Sequence, residues 1–140
     1  MANFTYFIRE RVKIDGRERG TTHETTLTGI NYADSRIMYI PSGTMTEIIN
    51  VAALPGAGTF QSSSLKYARL SNMSSGSINL QILVGASTTF NFLVSGSGSF
   101  IINSALATNT FSNFSYGDVK SVKASPMDTQ AVIEYFVATT

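Results

Sequence analysis

The sequence contains no cysteine, no tryptophan and a single histidine. Without cysteine, disulfide frameworks, thiolate zinc clusters and thiol catalysis are excluded, and the redox state of the compartment is of no consequence. A histidine-based metal site would have to draw every other ligand from carboxylates. Charge is sparse: Asp, Glu, Lys and Arg make up 14% of the chain, against about 25% in ordinary globular domains. Ten basic and nine acidic residues leave a net charge of +1, which gives no field to hold nucleic acid or an anionic membrane. Long hydrophobic runs are missing too. Ser, Gly and Asn interrupt every uncharged stretch, so no segment is expected to span a bilayer. The N-terminus reads MANFTYFIRERVK, where Arg9 arrives before any apolar core of signal-peptide length, so no secretory signal is expected.

What is present is a strand-forming pattern. The chain has 140 residues, of which Ile, Leu, Val and Phe supply 37, enough for one folded core. Phe4, Tyr6, Ile8, Val12 and Ile14 alternate with Thr5, Arg9, Arg11 and Lys13, the period of a half-buried strand. Glu10 and Phe7 break the alternation and predict a bulge or interruption there. Asp15-Gly16 is a turn signal, and Thr-rich residues 21–28 follow with high β-propensity. Further strands are expected at 36–40, 44–51, 65–72, 78–84, 88–94, 99–103, 118–124 and 129–138, separated by Gly, Pro, Ser and Asn clusters. No window shows the helical period. The expected fold is all-β: one antiparallel β-sandwich over residues 1–140, jelly-roll-like, with about eight to ten strands. Strands 78–84 and 88–94 are expected to form a central hairpin of the core. Residues 52–64 and 104–115 lack a period and read as long loops, where binding residues often sit.

Chemistry-bearing motifs are few. His23 lies in the Thr-rich segment beside Glu24 and reads as a surface strand residue. No G-x-S-x-G elbow is present to support a serine triad, and the carboxylates are scattered rather than paired. Gly96-Ser97-Gly98 lacks the third glycine and the helix of a dinucleotide site, and reads as a hairpin turn. Asp15-Gly16-Arg17-Glu18 lacks the acidic spacing of a calcium loop. The sequons at Asn3, Asn72 and Asn113 are about as many as chance provides in so Ser/Thr-rich a chain. The absence of Trp tilts against a sugar-stacking platform. The chain is expected not to be an enzyme and to need no cofactor or metal.

Charge is unevenly placed. Eight of the nineteen charged residues fall in the first twenty positions, while Lys66 and Arg69 are the only two between Glu47 and Asp118. Residues 1–20 therefore read as a charge-rich strand or arm with its own task, attachment to a partner, for which Arg9, Arg11 and Lys13 are the candidate residues. A protective edge strand is the competing reading. The charge-poor remainder is better covered by a second subunit than by water. Phe111, Phe114 and Tyr116, in a Ser/Asn-rich stretch, are the candidate contacts of a homo-oligomer.

Three stretches, GINYADSRIMYIPSG, PGAGTFQSSSLKYARLSNMSSGSINLQILVG and FNFLVSGSGSFIIN, resemble small structural proteins encoded in the virion modules of marine tailed phages. The likeness covers about residues 29–103. It implies a non-enzymatic β-sandwich, made in the host cytoplasm, that decorates the capsid as a cement protein or forms part of a tail or fibre. Its partners would be the major capsid protein or other virion proteins and its own copies, with a trimer favoured by analogy. The family pattern marks no catalytic residue. A host-surface or glycan-binding module, using the loops at 52–64 and 104–115, is the competing expectation.

Overall fold

A computed structural model of the chain describes residues 2–51, 59–60, 65–103 and 119–140. They form thirteen strands: β1 (Ala2–Arg9), β2 (Val12–Ile14), β3 (Arg17–Arg19), β4 (Thr22–Ile30), β5 (Tyr32–Ile40), β6 (Thr46–Val51), β7 (Thr59–Phe60), β8 (Leu65–Asn72), β9 (Ile78–Val84), β10 (Thr88–Val94), β11 (Ser99–Asn103), β12 (Val119–Pro126) and β13 (Ala131–Thr139). No helix is present among the described residues. The all-β sandwich is as expected, and the bounds of β8 to β11 coincide with those read from the sequence. The strand count exceeds expectation for two reasons. The first amphipathic stretch is split and returns as β3, and the segment read as one long loop contains β7.

Two sheets face each other, ordered β10-β9-β12-β6-β7 and β11-β8-β13-β5. Setting β7 aside, the eight strands pair as nested counterparts. The first and last pair (β5 with β13), then β6 with β12, β8 with β11, and β9 with β10. This is one long hairpin rolled up, the jelly roll. All of these pairings are antiparallel. The short contact of β7 with β6 is the one parallel pair among the described residues.

Alternation explains which faces meet. Ile78, Leu80, Ile82 and Val84 of β9 are all buried, as are Ala131, Ile133, Tyr135 and Val137 of β13, and both sets join one core with Ile40, Ile49, Leu70, Ile102 and Val122. Each fully buried aliphatic side chain contributes roughly 1.5–3 kcal/mol of transfer free energy. The expected hairpin of β9 and β10 is there, but only β9 is central. β10 is the outermost strand of its sheet, so Phe92 and Leu93 remain exposed. Phe92 meets Phe100 of β11 across the mouth of the sandwich, ring centroids 4.6 Å apart.

One end of the sandwich is tied by a buried amide. The Nδ2 of Asn72 donates to the carbonyls of Gly76 (2.7 Å) and Ser95 (3.2 Å), and its Oδ1 accepts the Ser74 N–H at 3.0 Å. The segment after β8 is thereby fixed to the turn at Ser95–Gly98. That turn carries the chain from β10 to β11, hence from one sheet to the other, and is not the hairpin turn its glycines predict. A Cβ on Gly96 would overlap the Ser75 carbonyl, so the close approach requires glycine. Asn72 is therefore spoken for as a structural residue, whatever its sequon.

Candidate functional site: the N-terminal hairpin

β1 and β4 pair antiparallel as a separate two-stranded ribbon, and β2 and β3 continue it as a smaller one. The base of this arm is seated on the outer face of the β11-β8-β13-β5 sheet. Phe4 lies 4.9 Å from the ring of Tyr67 and 5.0 Å from that of Phe136, and Tyr6 lies 4.9 Å from Tyr67. Leu27, Ile30 and Ala138 complete this second cluster, and the amide of Asn103 donates to the Tyr6 hydroxyl. Aromatic pairs of this kind are worth about 0.5–1.5 kcal/mol each beyond the area they bury. Burial raises the pKa of the Tyr67 phenol above its ordinary value, with nearby Arg69 opposing the shift, as expected for a hydroxyl held under a lid of rings.

Beyond the seat the arm stands in solvent. Every residue from Phe7 to Glu24 is exposed. The ribbon is interrupted at Glu10–Arg11, where the alternation predicts a break, and across from it at Gly20–Thr21, and the Glu10 N–H donates to the Thr21 carbonyl at 2.9 Å to hold the joint. Gly20 has φ of +147°, and a Cβ there would overlap the Glu10 carbonyl. The tip turns at Asp15 (φ +50°) and Gly16 (φ +75°), the left-handed pair of a type I′ hairpin turn.

Register then sorts the tip into two unlike faces, since residues directly opposite in an antiparallel pair share a face. Lys13 faces Glu18, and Arg11 grips the same carboxylate through Nε at 2.7 Å and Nη2 at 2.9 Å. On the other face Val12 lies opposite Arg19 and Ile14 opposite Arg17. Val12 and Ile14 are 48% and 53% exposed, and neither guanidinium takes part in an ion pair among the described residues. At the joint, Arg9, Glu10, Arg11, Glu18 and Arg19 border an open polar groove of about 420 Å³.

The three basic residues predicted from the sequence all fall on this arm, but not on one continuous strand. Arg9 closes β1 opposite Thr22, Arg11 lies in the break and pairs with Glu18, and Lys13 stands opposite Glu18 beyond it. The apolar-and-arginine face was missed. Its signal was available, because fixing the turn at Asp15-Gly16 fixes which residues pair. Phe111, Phe114 and Tyr116 lie outside the described residues, as do the loop at 104–115 and most of that at 52–64. His23, opposite Ile8 in the register, is an exposed strand residue whose Nε2 lies 3.0 Å from the Thr25 hydroxyl. No group of three or more potential metal ligands is found among the described residues.

No known protein family matches the sequence, and no curated protein matches it. Among solved structures, part of AlgX from Pseudomonas aeruginosa is similar at 15% identity and a TM-score of 0.44, over 75% of this chain and 26% of that one. At that score the likeness bears on neither fold nor function.

Proposed function

We propose that this chain is a non-enzymatic structural protein of a phage particle, a jelly-roll decoration subunit held to the capsid by its N-terminal arm. The observation that carries the reading is the arm itself: eighteen consecutive exposed residues, Phe7 to Glu24, carrying a face of Val12, Ile14, Arg17 and Arg19 on a ribbon whose base is firmly seated. Exposed apolar side chains rimmed by unpaired arginines are the composition of an interface waiting for its other half. The resemblance of residues 29–103 to phage virion proteins supplies the setting, and the particle is the proposed location. The subunit acts as a homo-oligomer there. Its threefold number rests on that resemblance alone.

Mass spectrometry of purified particles tests this. Hundreds of copies per particle are expected for a decoration protein. A handful of copies would move the chain to the tail or fibre, and its absence from particles would overturn the structural role in favour of a free surface-binding module.

A further inference from the structure

The far edge of the β11-β8-β13-β5 sheet is open. β5 is its outermost strand, nine residues long, paired on one side only. Its register with β13 runs unbroken from Tyr32 opposite Thr139 to Ile40 opposite Ala131. Natural edges are usually blunted by shortness, a bulge, a proline or charged side chains. β5 is long, unbulged and free of proline and lysine; its only charges are Asp34 and Arg36, opposite Val137 and Tyr135 in the register, and it presents Ile37 at 70% and Tyr39 at 57% exposure. Such an edge leaves a row of backbone N–H and C=O groups able to pair with another strand.

The side chains of β5 say which strand. Asp34 and Arg36 sit two residues apart on one face, joined at 2.8 Å within the chain, and Asp34 also accepts the Tyr135 hydroxyl at 3.1 Å. Antiparallel pairing of β5 with itself, with matching sheet faces, requires the twofold axis to pass through a residue. An axis through Asp34 sets carboxylate against carboxylate, and one through Arg36 sets guanidinium against guanidinium. An axis through Ser35 sets Asp34 of each copy against Arg36 of the other, twice over, and brings Ile37 over Ala33 of the second copy. We infer that β5 pairs with β5 of a second copy in this register, making one continuous eight-stranded sheet from two four-stranded ones. Charge complementarity selects the occupant: like charges directly opposite repel, whereas opposite charges stabilise. The inference is independent of where the protein acts, and it favours a twofold contact over a threefold one.

The chain has no native cysteine, so Ser35→Cys tests the axis directly. Under mild oxidation at micromolar concentration the variant is expected to collect as a disulfide-linked dimer. Ala33→Cys and Ile37→Cys should each form no disulfide alone and cross-link when mixed. In sedimentation velocity, Arg36→Glu and Asp34→Lys should each weaken dimerisation by at least about tenfold, as expected when attractive pairs become repulsive. An equimolar mixture of the two should recover the dimer, a result misfolding would not give. A wild-type chain that sediments near 15.1 kDa at high concentration, together with no disulfide-linked dimer of the Ser35→Cys variant, would overturn the inference. Cross-linking by Ile37→Cys alone would overturn the register.

Discussion

The jelly roll and the arm are written in the same alternation and come to opposite ends. In β9, Ile78, Leu80, Ile82 and Val84 alternate with Asn79, Gln81 and Leu83 and are buried. In β2, Val12 and Ile14 alternate in the same way and are exposed. Period-two patterning thus reports a strand; whether its apolar side is covered depends on a second layer reaching it. β9 has the opposing sheet. The arm has Tyr67 and Phe136 beneath Phe4 and Tyr6, and nothing among the described residues beyond that. Stability is therefore concentrated in one region and available surface in the other.

The sharpest way to test that division is to remove apolar atoms from each side of it. Leu80→Ala, at a fully buried position, should lower stability by about 2–5 kcal/mol, the usual cost of such a cavity, read as a lower urea midpoint at unchanged slope. The two most crowded glycines, Gly20 and Gly96, offer a matched pair. An alanine at either position meets a backbone carbonyl. Gly96→Ala should lower the global midpoint by roughly 1–3 kcal/mol, because it forces apart the turn that joins the sheets. Gly20→Ala should leave that midpoint in place and instead speed amide exchange in residues 10–21. A global loss from Gly20→Ala would show that the arm and sandwich unfold as one unit.

A smaller effect separates the regions by pH. Burial, then the hydrogen bond to Asp34, raises the Tyr135 phenol from the ordinary 10.0 to about 12. The folded state thus holds this proton more tightly than the unfolded state. Its contribution is complete below pH 10 and is lost as pH climbs from about 10 to about 12. Tyr135→Phe should flatten that alkaline decline at a cost of about 1 kcal/mol at neutral pH for the lost bond. Tyr67, shifted in the same direction, should keep part of the decline. The smallest effect belongs to the tip, where Ile14→Ser should change the midpoint by less than about 0.5 kcal/mol.

Much of the fold was legible because local signals and tertiary packing agree. β8, β9, β10 and β11 have the residues that alternation and flanking turns assign to them, and Asp15-Gly16 makes the turn its dipeptide predicts. The failures share a cause. The edge position of β10, the sheet-to-sheet path through Gly96 and Ser97, and the anchoring of that path by Asn72 all depend on which strands become neighbours, and period says nothing of neighbours. For the arm, charge density marked residues 1–20 and named Arg9, Arg11 and Lys13, whereas the ribbon runs on through β4 to Ile30. The ion pair of Arg11 with Glu18, the place of Lys13 opposite that carboxylate, and the other face of Val12, Ile14, Arg17 and Arg19 needed the hairpin register. The unbroken edge of β5 was likewise hidden, since only topology makes a strand an edge.

The attachment role stands or falls on the tip alone. Truncating the whole first strand would strip Phe4 and Tyr6 from Tyr67 and Phe136 and confuse folding with binding. Arg9 and Thr22 lie opposite each other in the register, so residues 10–21 can be replaced by Asn-Gly, closing the ribbon with a two-residue turn. The shortened chain is expected to keep the wild-type circular dichroism spectrum and urea midpoint and to enter phage particles no longer. The same shortened chain incorporated at wild-type copy number would contradict the attachment role.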